Sequence, residues 1–316
     1  MTPPSPANPG DRPGVTPLTT TTSEECTNVS APPLAFGAPN PSADCIADSA
    51  GGLTFDLDAP GRVDADAHWS AALVLRRRGA EDESEEVRLP LTPNGDGRLR
   101  AVLPSTVSLP EGRWDVHVAC GEAVPQRLVP GLADLRSLVD RRPGPSTSPL
   151  AVRIPYATKH GNLSLRSWLR APHAEAGDLL VDAEGITGHG TLYRVENPAE
   201  WLAGAVVEAR CRRAPDLVRT APVTADGQDF TFSLSYAQLC EEWRGGLDVW
   251  DLWLRGPEGT EPVRVARILD DVADKRQVFT YPARQVAASY ALAQVSPYYT
   301  VDNDLSLRVD ERPPVG

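Results

Sequence analysis

Pro297-Tyr298-Tyr299-Thr300-Val301-Asp302-Asn303-Asp304-Leu305-Ser306-Leu307-Arg308 repeats an earlier stretch, Pro155-Tyr156-Ala157-Thr158-Lys159-His160-Gly161-Asn162-Leu163-Ser164-Leu165-Arg166. Seven of the twelve positions are identical without a gap: the Pro, the Tyr, the Thr and the closing Leu-Ser-Leu-Arg. A match of that length argues for one structural unit used twice. Each stretch reads as two short strands around a turn.

Working outward from the repeat, further segments fall into correspondence. Trp250-Asp251-Leu252-Trp253-Leu254 matches Trp114-Asp115-Val116-His117-Val118. Phe230, Phe232 and Leu234 match Leu99, Ala101 and Leu103, and residues 205–213 answer the strand-like run 72–78, including its basic end. Apolar residues alternate with polar ones in Leu53-Thr54-Phe55-Asp56-Leu57 and again in Val87, Leu89 and Leu91, the period of half-buried strands. Asn94-Gly95-Asp96-Gly97 supplies the residues of a tight hairpin turn. No long amphipathic helix is legible. Each copy holds roughly seven to nine short strands at intervals of about 8–15 residues, which predicts an all-β chain of two tandem immunoglobulin-like β-sandwich domains. The expected boundaries are a disordered Pro/Thr-rich tail over 1–47, copy one over 48–170, copy two over 171–311 and a loose tail over 312–316.

Composition narrows the function. The 316 residues carry a formal net charge of -12, which repels phosphate backbones and anionic membranes and argues against a nucleic-acid partner. No apolar run is long enough to cross a membrane and no secretory signal is visible, so the cytoplasm is the expected location. Five cysteines at irregular spacing support neither a metal site nor a disulfide framework, and Cys120 and Cys211 are expected as buried apolar residues. A Cys26–Cys45 bridge is conceivable only in an exported protein. No phosphate-cradling or zinc-binding motif occurs, and no cofactor is expected.

The repeat serves as a control, because a residue required by the fold recurs in both copies and a site can sit in one. Asp302-Asn303-Asp304 has the look of a metal-holding Asp-x-Asp, but its counterparts His160, Gly161 and Asn162 share only turn propensity, so a hairpin turn is the simpler reading. Trp114 and Trp250 recur and are expected in the core. The best chemical cluster is His173, Glu175, Asp178, Asp182 and His189 at the start of copy two. A histidine among carboxylates can do acid/base work or bind a metal, and a cleft between domains is a common place for it. The simpler reading of His173 and Glu175 is two residues sharing a solvated face. Trp168, Trp201, Trp243 and Trp253 are less clearly duplicated, and an exposed one among them would suit sugar-ring stacking or a protein contact. Trp168, Trp201 and Trp243 are the candidates for a ligand or partner contact, with ordinary packing as the alternative.

The Pro-Tyr-x-Thr-x-x-x-Asn/Asp-Leu-Ser-Leu-Arg closure, with its Trp-Asp-Val/Leu strand, resembles β-sandwich accessory modules of actinobacterial proteins. Those modules occur with glycosyltransferases or glycerophosphotransferases of cell-envelope polymers. The resemblance covers roughly residues 50–310 and implies a non-catalytic role, contacting a partner transferase or a surface glycan, and it carries over no active-site residue. The alternative is an enzyme using His173, Glu175 and Asp182 as acid/base groups in the interdomain cleft. A plain structural spacer is the third reading.

Overall fold

A computed structural model describes residues 41–58, 71–79, 86–95, 97–121, 124–139 and 141–311. The expectations for Cys26, for most of the tail over 1–47 and for the tail over 312–316 lie outside these residues. Among the described residues the chain is nearly all β, and no helix is long and apolar enough to cross a membrane.

The first half forms β1 (Ser42–Ala47), β2 (Leu53–Asp58), β3 (Ala71–Arg77), β4 (Glu86–Pro90), β5 (Thr92–Pro93) and β6 (Arg98–Leu103). It continues with β7 (Gly112–Cys120), β8 (Gln126–Arg127), β9 (Val129–Asp134), β10 (Leu150–Ala157) and β11 (Leu163–Arg170). These pair into two sheets, β5-β6-β2-β1-β9 and β10-β11-β7-β3-β4. Their inner faces share one core, in which Leu53, Phe55 and Leu57 of β2, Leu99, Ala101 and Leu103 of β6, and Trp114, Val116 and Val118 of β7 are buried as the alternation predicts.

Two expectations need correction here. The tail expected over 1–47 includes Ser42–Ala47, yet these residues form β1, which lies between β2 and β9 with Ala43, Cys45 and Ala47 buried. Its apolar residues are two alanines and a cysteine, too small to register as a hydrophobic strand. The spacing of Leu132–Val139 is helix-like over only two turns and predicts a cap or a crossing loop. The stretch is instead the end of β9, parallel to β1, followed by a single 3-10 turn at Arg136–Leu138.

The second half forms β12 (His173–Val181), β13 (Gly185–Tyr193), α1 (Pro198–Leu202), β14 (Val206–Cys211), β15 (Val218–Asp226) and β16 (Asp229–Ser235). After α2 (Tyr236–Cys240) come β17 (Asp248–Arg255), β18 (Val263–Ala266), β19 (Arg284–Ala287), β20 (Leu292–Tyr299) and β21 (Leu305–Glu311). The same pairings recur in order. β12 is antiparallel to β13 and parallel to β18 as β1 is to β2 and β9, while β14, β17, β21 and β20 follow one another as β3, β7, β11 and β10 do.

The second half also departs from the expected pair of separate sheets. β14-β15-β16-β13-β12-β18-β17 returns to β14, a closed ring of seven strands. Closure comes from strands that cross the corner without a break. β15 pairs with β14 through Pro222 and with β16 from Val223 onward, and β18 pairs with both β17 and β12. In the first half the same corner is interrupted at Leu91, between β4 and β5, where Pro90 and Pro93 bring no N–H to the ladder.

The two halves meet through the repeat itself. Trp168 donates its indole N–H to the Asp302 carbonyl (3.1 Å), Arg166 bonds the Asp302 carboxylate (2.5 Å), and Arg170 reaches Asp304 (3.0 Å) and Glu111 (2.9 Å). Asn303 is buried with φ 61, accepting from the Lys275 N–H (3.2 Å). Ile268 and Leu269, on the loop that Asn303 fastens, insert into the core of the first half. Asp302-Asn303-Asp304 is thus the turn that the repeat comparison indicated, and it is also the clamp between the halves.

Candidate functional site

The expected acid/base cluster is dispersed. His173 is buried at the start of β12, with Nε2 2.7 Å from Glu175 Oε2. The Glu175 carboxylate accepts the backbone N–H groups of Ile268 (3.0 Å) and Leu269 (2.9 Å), anchoring the loop that plugs the first core. The pair shares a face, but that face is covered by this loop and is not solvated as expected. Asp182 lies seven residues along from Glu175, about 23 Å at strand rise. Asp182 Oδ1 accepts from Glu184 and Gly185 (2.8 Å each), and these bonds hold its carboxyl below the usual range. His189 is exposed on β13, beside the Thr231 hydroxyl (3.0 Å), and Asp178 is exposed on a bulge of β12. Only His173 and Glu175 are brought together.

The tryptophans separate more clearly. Trp168 (0% exposed) is consumed by the contact with Asp302, and Trp243 (1%) packs edge-on against Tyr290 and donates to the Gly246 carbonyl (2.8 Å). Buried to this extent, neither presents a face to a ligand. Trp201 is half-buried and borders an open groove of about 700 Å³ with Val195, Glu196, Asn197, Glu200 and Pro257.

Local sequence explains this groove. Asn197 caps α1, its side chain accepting from Glu200 N (3.4 Å) and donating to the Glu200 carboxylate (3.1 Å), with Pro198 at the first helical position. Leu202 anchors the short helix in the core, and Gly204 at φ 76 ends it. Trp201 is thereby laid over Gly256, where a Cβ would stand 2.6 Å from the indole ring. The turn Pro257–Thr260 that follows is closed by the Thr260 hydroxyl on the Pro257 carbonyl (2.7 Å). The groove presents an aromatic surface backed by glycine, one amide and two exposed carboxylates. Such a set accepts hydrogen bonds from hydroxyls, packs against C–H surfaces and repels anions.

Sequence reading missed a half-buried polar network, centred on the buried Ser164 and Ser306, that recurs in both halves. Asp115 receives Arg78 (2.5 Å), Arg127 (3.2 Å) and Ser164 Oγ (3.0 Å), and Ser164 Oγ also accepts from both arginines. Asp251 receives Arg212 (2.9 Å), Arg264 (3.2 Å) and Ser306 Oγ (2.8 Å) in the same arrangement. Burial alone would raise both carboxyls, but the arginine and serine partners hold them below the ordinary range. The signal was present in the duplicated Trp-Asp and Leu-Ser-Leu-Arg, whose Asp and Ser are these residues. The second half adds Trp253, flanked by the guanidinium carbons of Arg210 (4.9 Å from the ring centre) and Arg264 (5.2 Å), where the first half has His117.

Comparison with known proteins adds little. No family model and no curated protein matches the chain. Among solved structures, residues 217–571 of S. aureus TarS align over 62% of this chain and 56% of theirs, at 14% identity and a TM-score of 0.27. A longer S. aureus TarS structure aligns over 62% and 35%, at 15% identity and the same TM-score. The chicken CNTN1 FN1–FN3 domains align over 74% and 65%, at 11% identity and a TM-score of 0.18. The chain spans about half the length of the first of these, and at such scores the likenesses carry no argument about fold or function.

Proposed function

We propose that the chain is a non-catalytic accessory protein that binds a neutral glycan through the Trp201 groove. Its two halves, over Ser42–Arg170 and Ala171–Glu311, are duplicated immunoglobulin-like units. The recurring strand pairings and the recurring Asp–Arg–Ser network support the duplication. Each unit carries the repeated hairpin as an addition beside its seven-strand framework. The observation that carries the binding reading is Trp201, which like Trp253 keeps exposed surface, but does so beside Asn197, Glu196 and Glu200, whereas the Trp253 ring is flanked by Arg210 and Arg264. A sugar ring can lay its C–H face on the indole while its hydroxyls meet the amide and carboxylates. Within the setting implied by the resemblance, the ligand is a neutral surface glycan and the protein partner is a transferase of cell-envelope polymer synthesis.

The enzyme reading finds less support, since Glu175 is occupied by two backbone N–H groups and Asp182 by a turn. The test is a screen of the full chain against neutral and acidic oligosaccharides, followed by calorimetry with the tightest neutral ligand. Trp201→Ala is expected to weaken binding roughly tenfold or more, while Trp253→Phe leaves it unchanged. Failure to bind any neutral glycan, or equal affinity in Trp201→Ala, would sink the proposal.

A further inference from the structure

Arg153 is the anomaly of the first half. It lies on β10, 1% exposed, paired in register with buried Ser167. The same register position in the second half is Val295 opposite Val309, both fully buried. The fold therefore accepts an apolar pair at this position, and the first half places a guanidinium there instead. Arg153 Nη1 donates to the Pro104 carbonyl (2.8 Å), while Nε and Nη2 are buried without a partner. A buried charge without a counter-ion is strongly unfavourable, so what completes it is a chemical question.

Arg141 neighbours it, and Arg194 neighbours Arg141 in turn. Arg141 donates to the Ala151 carbonyl (3.3 Å), two residues before Arg153, and to the Ala50 carbonyl (3.0 Å), and a Cβ on Gly51 would stand 2.7 Å from its guanidinium. Arg194, the residue after β13, donates to the Gly144 carbonyl (3.1 Å), and its Nε is buried without a partner. Among the described residues none of the three forms an ion pair. Their hydrogen bonds run to backbone carbonyls, which orient the guanidinium groups and neutralise nothing. Asp48 is the acid whose field reaches both Arg141 and Arg153, and its Oδ1 is already taken by the Gly52 N–H (2.8 Å).

We propose that Arg153, Arg141 and Arg194 form a binding site for a small tetrahedral oxyanion, a phosphate or phosphomonoester, entered from the half-buried Arg141 and Arg194 side. Planar guanidinium forks held by carbonyls and left with free N–H groups match the oxygen geometry of such an anion. The electrostatics agree. Burial, and then the neighbouring guanidinium, push Arg153 down to about 10, and burial lowers Arg141 and Arg194 as well, which is the response of cations lacking an anion. The site is separate from the Trp201 groove, whose glutamates repel such a ligand, and the proposal stands or falls independently of glycan binding.

The experiment is calorimetry and thermal unfolding of the full chain with inorganic phosphate, against chloride at matched ionic strength. The wild type is expected to bind phosphate saturably and to melt at a higher temperature in its presence. Arg153→Val, which copies Val295, is expected to melt higher than wild type without phosphate and to bind it roughly tenfold more weakly or worse. Arg141→Ala provides a second, more exposed variant with the same expected loss of affinity. The proposal is overturned if phosphate does no more than chloride, if acetate binds saturably and phosphate does not, or if both variants bind phosphate as the wild type does.

Discussion

Asn303 offers the sharpest test of how the two halves are held together. It occupies a left-handed backbone conformation, φ 61, at the position where the first-half hairpin has Gly161, φ 76. Gly161 is exposed, whereas Asn303 is buried and fastens the loop that carries Ile268 and Leu269 into the first core. Its Oδ1 accepts the Lys275 N–H (3.2 Å), and its Nδ2 donates weakly to the carbonyls of Val272 (3.3 Å) and Ala273 (3.4 Å). Asn303→Gly keeps the turn and removes the clamp. Leaving the Lys275 N–H buried without an acceptor costs about 1–3 kcal/mol. The carbonyls contribute less, since Val272 O still receives Lys275 Nζ (3.0 Å). The sum is about 2 kcal/mol. Asn303→Ala loses the same bonds and also places a Cβ in the left-handed region without a compensating side chain, for about 1 kcal/mol more. Urea denaturation should rank wild type above Asn303→Gly above Asn303→Ala, and the Lys275 amide should exchange at least roughly tenfold faster in both variants. A midpoint for Asn303→Gly equal to wild type, with the Lys275 amide still protected, would refute the clamp. An Asn303→Ala variant no weaker than Asn303→Gly would refute the backbone argument.

Glu175→Ala leaves the N–H groups of Ile268 and Leu269 without their acceptor and should lower stability by about 3 kcal/mol, with Glu175→Gln intermediate, as read by urea denaturation. Gly190→Ala would put a Cβ 2.4 Å from the Phe230 ring and 2.8 Å from the Glu175 carbonyl, so a loss of about 1–3 kcal/mol is expected, measured by thermal unfolding. Asp251→Asn should destabilise at pH 7. Because the Asp251 carboxyl is held below its unfolded value of about 3.9, its contribution is present above that pH and is lost as pH falls through the folded value. The melting gap between wild type and Asp251→Asn should therefore hold down to about pH 4 and close below it, and a gap unchanged at pH 2 would contradict the charged role of Asp251.

Strand alternation made most of the cores legible. Leu53, Phe55 and Leu57, or Trp250, Leu252 and Leu254, announce their buried faces through residue size and period alone. β1 escaped because Ala43, Cys45 and Ala47 bury a strand with small side chains. Closure of the second half escaped for another reason. Whether β15 crosses the corner whole or splits as β4 and β5 do depends on hydrogen-bond continuity around prolines, and Pro222 is present in the unbroken strand too. Among the candidate site residues, the adjacency of His173 and Glu175 was legible from their spacing, but their burial was not. That burial depends on a loop nearly a hundred residues away in sequence, whose N–H groups find the carboxylate.

Identity between the halves locates what the shared backbone needs, as Asp115 and Asp251 show with their matching arginine and serine partners. Function and assembly are written in the differences at positions where the backbone is the same. Gly161 and Asn303 share a conformation, yet only Asn303 holds a neighbouring loop. Val295 and Arg153 share a burial level, yet only Arg153 leaves guanidinium N–H groups without a partner. In each case the residue that departs from what the turn or the core would accept most cheaply has a destination beyond its own hairpin. For Asn303 that destination is the Lys275 loop. For Arg153, beyond the Pro104 carbonyl, no protein atom among the described residues supplies it, and an oxyanion is the chemistry that would.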